Sequence, residues 1–471
     1  MREPAVELRR SVTGRATRSR TSDESATIAP ATGSYDRAID ALLRFCDQRR
    51  PHDFASFVQN VGVALRLPVD AQPRWRKLGE ATYSEVFAVS RDLPGSSKAP
   101  GLASSTVVKI IPIRTGDAPS VDSDDSDGEE DDEPELSDWA DVLRELRLTR
   151  LLGSDPDVPG FVELHSAFVV QGPYPDALLD EWDAFADKRE SLNVKPDVLP
   201  DEQLYVCICL PYRGPDLEAV KLSSWTEAAS VFYQVVRSIA AAEHLHRFEH
   251  RDLHHGNVLV EATAQSRPRV RTPSIAPDAL AAQLARATLS EPSWPAMLEP
   301  EASGVRTTVI DYTLSRADVR QPSGRLETIW STIEDCVFEG DGDAQFDTYR
   351  SMRAAVSLGA DGESADWSGF HPITNLQWLC YLAGKLLHSK HLVAPTQIAP
   401  ASSSSSGAAR RRKIVSPADR EAYARLVAAE TALRRSVDLR RMRGNAAADR
   451  RSGRFTDTSD LLRWFSDPVA S

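Results

Sequence analysis

The densest run of chemistry-bearing side chains in this 471-residue chain is His250-Arg251-Asp252-Leu253-His254-His255-Gly256-Asn257. It holds an aspartate followed five residues later by an asparagine. In phosphoryl transfer these two types at this spacing do different work: the aspartate orients the attacking hydroxyl and takes its proton, and the asparagine holds a divalent metal ion. Alone, the tripeptide also fits a polar loop before a buried strand, here Val258-Leu259-Val260. A second metal-type aspartate, Asp311 in Val309-Ile310-Asp311-Tyr312-Thr313, tips the balance toward a kinase-type site.

Such a site needs a cation for the phosphates and a partner that fixes it. Lys109 stands inside the β-rich run Thr106-Val107-Val108-Lys109-Ile110-Ile111, where a buried lysine is costly unless paired. Trp139, Val142, Leu143 and Leu146 form a helical stripe, and Glu145 sits at its edge, where it can face that strand. The expected ion pair is Lys109 with Glu145. An edge-strand lysine reaching solvent is the plainer alternative.

Leu78-Gly79-Glu80-Ala81-Thr82-Tyr83-Ser84-Glu85-Val86 reads as strand, turn, strand, with only the first glycine of a G-x-G-x-x-G loop and Ala81 and Ser84 at the other two places. Small residues still let backbone N–H groups approach phosphates, although an ordinary hairpin fits the turn by itself. Leu204 to Leu210 is a short apolar strand ending in Pro211-Tyr212-Arg213-Gly214, where proline keeps a C=O to face a purine but lacks an N–H. The expected nucleotide contacts are Gly79, Glu80, Ala81, Val86, Val107, Lys109, Leu210, Pro211, Tyr212, Arg213, Gly214 and Leu259. Asn257 and Asp311 are the expected metal ligands.

The elements that must position these residues follow from pattern. Residues 1–34 are rich in Arg, Ser and Thr without periodicity, which predicts a disordered basic tail. Residues 35–72 carry two helical stripes, Ala38 to Cys46 and Phe54 to Val61, expected to pack on the domain that follows. Strand patterns dominate residues 73–214 and helical patterns residues 215–471, in which the 225–247 helix delivers the chain to His250. Insertions are expected at 115–137, 262–304, with a helix around 278–287, and 396–416. A helix from 417 to about 443 and the segment Phe455 to Phe465 close the large lobe.

Net charge is −13, but Asp122 to Asp138 hold eleven acids and no base, so the rest of the chain is near −2. The acidity belongs to one insert. Five cysteines with no C-x-x-C pair argue against a zinc site or a disulfide framework, and Cys207 and Cys209 should share one strand face. The N-terminus shows no signal-peptide core, and no run approaches the roughly 18 apolar residues of a membrane span. A soluble intracellular chain in a reducing compartment is expected. Arg410-Arg411-Arg412-Lys413 fits either a nuclear import signal or a solvated linker.

Over about residues 75–465, inserts apart, the chain resembles the haspin family of protein kinases. The resemblance rests on His250-Arg251-Asp252-Leu253-His254-x-Gly256-Asn257, with histidine where most kinases place lysine, and on Asp311-Tyr312-Thr313-Leu314-Ser315-Arg316 in place of Asp-Phe-Gly. Its most specific piece is Gly340-Asp341-Gly342-Asp343-x-Gln345-Phe346-Asp347-x-Tyr349-Arg350. His371-Pro372 with Asn375 and Trp378-Leu379, Asp460-Leu461-Leu462, and the lack of Ala-Pro-Glu after Asp311 also fit. Ala81, Ser84 and His255, where the family often carries a bulky aromatic, depart from it.

The resemblance implies an α+β bilobal kinase fold that uses ATP and Mg²⁺. It also implies a monomeric nuclear enzyme, possible too in cytoplasm, that phosphorylates a threonine near the N-terminus of histone H-three on mitotic chromatin. Such a kinase needs no activation-loop phosphate and makes no base-specific contact with nucleic acid. Asp216, Glu218, Asp341 and Asp343 are the acids expected to grip the basic tail, helped by glycines that let both carboxylates of the Gly340 to Asp343 loop turn one way. Two other classes stay open. A small-molecule kinase of the aminoglycoside or choline type shares the H-x-D-x-x-x-x-N loop, but Arg251 and the Gly340 to Arg350 run argue against it. A pseudokinase scaffold need not keep Lys109, Glu145, Asp252, Asn257 and Asp311 together.

Overall fold

Along β6 (Leu204–Pro211), side chains alternate between two buried layers. Tyr205, Cys207 and Cys209 face one side, and Leu204, Val206 and Ile208 the other. Period-2 side chains on a strand buried on both faces require helices on both sides of the sheet. The computed structural model describes residues 33–65, 73–81, 84–91, 105–114, 135–189, 191, 193–263, 294–321, 323–357, 365–395, 416–438 and 454–467. The expected basic tail, apart from its last two residues, lies outside them. So do most of the acidic insert, the 278–287 helix, the Arg410 to Lys413 block and residues 439–450.

The helices and strands that precede β6 are α1 (Gly33–Phe45), β1 (His52–Asp53), α2 (Phe54–Ala64), β2 (Pro73–Ala81), β3 (Ser84–Arg91), β4 (Thr106–Ile113), α3 (Trp139–Ser154), β5 (Ser166–Gln171) and α4 (Asp176–Ala186). The six strands form one sheet in the order β1-β5-β6-β4-β3-β2, antiparallel except for the β1–β5 pair. Phe54, Phe57 and Val61 of α2, with Leu178 of α4, cover the outer face against Trp75, Phe87 and Tyr205. Leu42 of α1 and Val142 and Leu146 of α3 cover the inner face against Ile111, Val169 and Ile208. The side chain of Asp138, the last acid of the acidic stretch, caps α3 by accepting from Ala140 N at 2.7 Å.

The second lobe is built around α5 (Trp225–His246), whose side chains are buried on most faces. Ser224 caps it, and it ends at Arg247 in the left-handed region (φ 47°). Two short hairpins follow, β7 (Val258–Ala262) with β8 (Val305–Val309), and β9 (Ala317–Arg320) with β10 (Leu326–Ile329). Helices α6 (Ala344–Val356), α7 (Ile373–His388), α8 (Pro417–Ser436) and α9 (Thr458–Ser466) complete it, with Phe232, Trp378, Leu426 and Phe465 in one core. The end of the expected 262–304 insertion is folded, because Trp294 is buried and its indole N–H donates to Phe465 O at 2.9 Å. The architecture is the expected bilobal α+β fold. Among the described residues no helix is long and apolar enough to cross a membrane.

Candidate active site

The left-handed residue at Arg247 turns the chain sharply off α5, and buried Phe248 and Glu249 anchor the loop that follows. His250 is buried. Its Nδ1 accepts from Asp252 N at 3.3 Å and its Nε2 lies 3.2 Å from Ile310 O. This pair of contacts selects the neutral tautomer with its proton on Nε2. Burial pulls the imidazole down to about 4, so it stays neutral and ties the loop to the Asp311 segment. Asn257 Nδ2 donates to Asp252 O at 2.9 Å and to Asp252 Oδ2 at 3.2 Å, and the Tyr349 hydroxyl donates to Asp252 Oδ1. The base candidate is therefore held from two sides.

Lys109 projects from β4 on the face shared with Ile111 and Ile113, and its Nζ lies 2.8 Å from Glu145 Oε1 on α3. Burial opposes its charge, but Glu145 and Asp311 outweigh that and raise its pKa above the ordinary lysine range. Asp311 sits at φ 64°, a sparsely populated region that aspartate tolerates. Its Oδ1 takes the Thr313 hydroxyl at 2.7 Å. Burial alone would lift its pKa, yet Lys109 and the Thr313 bonds hold it below the usual aspartate range. An ionised carboxylate beside the Asn257 amide offers hard oxygen donors, which is the donor set Mg²⁺ takes when phosphates complete its shell.

The nucleotide side is an apolar slot. In strand register Val86 pairs with Lys109, and Val107 with Leu210, so all four share one sheet face. Each is only partly buried, as is Leu259 on the second lobe. Tyr212 N donates to Ser105 O at 3.1 Å, holding the hinge to the start of β4. Gly214 has φ 90°, and a Cβ there would lie 2.3 Å from Val260 O, so only glycine lets the hinge exit dock on β7.

The side chain of Glu80 faces away from the slot. Glu80 pairs in register with Glu85, on the face opposite Val86, and its carboxylate lies 2.7 Å from Lys77 Nζ. The pleat puts this side chain behind the turn, so only its backbone lines the slot.

Comparison with known proteins then decides the relationship. The model of the haspin-like kinase domain matches residues 33–419. A Schizosaccharomyces pombe serine/threonine-protein kinase haspin homolog is 32% identical over 371 residues, 78% of this chain and 64% of that protein. The Mus musculus and Bos taurus serine/threonine-protein kinases haspin are 31% and 34% identical over 73% and 67% of this chain, and over 38% and 35% of their own lengths. This chain belongs to the haspin-like kinase family. It spans less than two thirds of the length of each of these relatives.

In this haspin-like domain the arginine before Asp252 has an internal partner. Arg251 is fully buried at φ 64°, and its Nε lies 3.2 Å from Glu249 Oε2. Helix α3 is clamped from outside by Arg147, whose guanidinium meets both carboxylate oxygens of Glu327 on β10 at 2.8 and 2.6 Å.

The four acids expected at the substrate rim do not form one set. Asp343 is spent within the fold: it caps α6 through Gln345 N at 2.9 Å and pairs with Lys385 of α7. Glu218 is exposed, 3.9 Å from His255, an imidazole that burial and Lys385 keep neutral. Asp216 accepts from Ala219 N at 2.7 Å. Asp341 stands almost fully exposed, 3.7 Å from Arg350. Gly342, at φ 90°, sends the two loop carboxylates different ways, so the expectation that both turn together is not met.

Tyr349, Glu249, Arg147, Lys77 and Asn193 escaped the reading of the sequence. Tyr349 lay inside the Gly340 to Arg350 run. For the others no local pattern pointed to a partner up to 180 residues away.

Proposed function

We propose that this chain transfers the γ-phosphate of ATP to a serine or threonine hydroxyl, and that its substrate is a threonine near the N-terminus of histone H-three, on chromatin in the nucleus. The observation that carries the reading is the Lys109–Glu145 pair at 2.8 Å, whose lysine also feels the charge of Asp311, together with Asn257 bonded to Asp252. Lys109 holds the α- and β-phosphates, and Glu145 fixes its position. Asp311 and Asn257 would hold Mg²⁺, which when bound neutralises charge on the phosphates. Asp252 orients the attacking hydroxyl and accepts its proton. The transition state is loose, so positioning and charge stabilisation are most of what the protein must supply.

The relatives are named serine/threonine-protein kinases, which favours a protein hydroxyl over a small molecule. A basic tail with a free amino terminus would find partners in the exposed carboxylates of Glu218 and Asp341. Glu249 on Arg251 and the Arg147–Glu327 clamp supply internally what an activation-loop phosphate supplies elsewhere, which supports activity without that modification.

The test is radiolabelled phosphate transfer to a histone H-three N-terminal peptide, to whole histone and to an aminoglycoside. Label on the peptide threonine supports the reading. Label on the aminoglycoside alone, or on none of the three, overturns it.

A further inference from the structure

We propose that Asn193, in the loop after α4, is a positioning residue that pins Ala81 and Ser84, where β2 ends and β3 begins, and through them sets the grip on the nucleotide phosphates. This rests on the reading that the Gly79 to Val86 turn covers those phosphates.

The turn poses an electrostatic problem behind its nucleotide face. Glu80 and Glu85 stand directly opposite each other on the outer face of the hairpin, and like charges so placed push strands apart. Lys77 answers with one cation, its side chain fully buried, its Nζ 2.7 Å from Glu80 and also paired with Glu85. The rings of Trp182 and Phe185 on α4 lie 4.8 and 4.9 Å from that Nζ. Burial raises the Glu85 pKa despite Lys77.

Asn193 supplies a donor without adding charge. Its Nδ2 lies 3.1 Å from Glu85 Oε1, 3.2 Å from Ala81 O and 3.4 Å from Ser84 O. Ala81 and Ser84 are register partners at the two ends of the turn, so one side-chain amide ties both. Ser191 Oγ adds a bond to Glu80 Oε1 at 2.5 Å. Ala81 and Ser84 are also the two positions where the turn lacks the glycines of a phosphate loop. A carbonyl engaged by an amide donor cannot swing toward a phosphate and repel it. Ala81 and Ser84, which lack the freedom of glycine, are therefore held from outside, with less ordering left for ATP to impose.

The experiment uses the full chain. Asn193→Ala should raise the KM for ATP about three- to tenfold, the effect of one or two modest hydrogen bonds. Adenosine affinity, the KM for the peptide and Tm should change little. Asn193→Asp, which sets a carboxylate against Glu85 and two carbonyls, should weaken ATP at least as much. Ala81→Glu, on the turn itself, probes the underlying reading. If Ala81→Glu weakens ATP but both Asn193 variants bind it normally, the clamp is refuted and the phosphate-turn reading stands. If none of the three weakens ATP, both fall. Equal rises in both KM values with a lower Tm would make Asn193 a structural brace and overturn the proposal.

Discussion

The Tyr349 hydroxyl on α6 donates a hydrogen bond to Asp252 Oδ1, joining residues 97 positions apart. Tyr349 is buried, with its ring edge-on to Trp378 at a centroid distance of 5.0 Å, so its hydroxyl has little freedom to turn away. The helix that carries the Gly340 to Arg350 run thus braces the Asp252 carboxylate directly. Burial raises the Asp252 pKa, while His254, Tyr349 and Asn257 pull it down.

Tyr349→Phe removes one of those lowering contacts, so the Asp252 pKa should rise. The base must be ionised to act, hence the acid limb of the kcat profile should move to higher pH, and kcat at neutral pH should fall roughly tenfold, the scale of one hydrogen bond to a charged group. ATP affinity should hold. A pH–rate profile identical to that of the parent would count against the brace.

Asp252→Asn keeps size and polarity but cannot accept the proton. Turnover should drop by roughly 10²- to 10⁴-fold. Nucleotide affinity, set by Lys109, the slot and the turn, should change little in a calorimetric titration. Near-normal turnover would remove Asp252 from the role of base.

Glu249→Gln strips the counter-charge from a buried guanidinium. Breaking a buried pair from one side costs about 3–5 kcal/mol, so denaturant unfolding should show a large loss of stability. The parent protein, treated with phosphatase, should remain fully active. Activity that appears only after treatment with another kinase would refute an internal substitute for the phosphate.

Asp341 and Asp343 should now separate. Asp341→Asn removes an exposed charge, worth about 0–1 kcal/mol; it should raise the KM for a basic peptide a few-fold at low salt, less at high salt, and leave Tm alone. Asp343→Ala removes a helix cap and the Lys385 partner, and should cost about 1 kcal/mol or more of stability. Equal and purely kinetic effects of the two would restore them as a single substrate site.

His250 is neutral when folded, with its pKa pulled down to about 4 against about 6.5 when unfolded. Below pH about 6.5 the unfolded chain binds a proton that the folded chain refuses. Stability from this group is therefore complete above that pH and lost as pH falls toward about 4, on the order of 3 kcal/mol in all. Urea midpoints across that range should fall, and His250→Gln should flatten the slope.

The sequence by itself determined the family and the candidate site residues. Asp252, Asn257, Asp311 and Lys109 could be named because spacing along a loop and the cost of a lysine in a strand are local facts. Individual strands and helices followed from periodicities of two and 3.6, and the bilobal arrangement from the family resemblance. Tertiary structure decided everything that depends on which way a side chain points and what lies across from it. Register placed Glu80 behind the turn, because a strand sends neighbouring side chains to opposite faces and only strand pairing shows which face meets the cleft. Packing of α6 against α7 gave Asp343 to Lys385, and the φ of Gly342 sent Asp341 to solvent. Tyr349 reached Asp252, and Asn193 reached the turn, across 97 residues in one case and 112 in the other. Contacts of that separation leave no mark in local pattern; they exist only once burial of the apolar faces has fixed where each backbone runs.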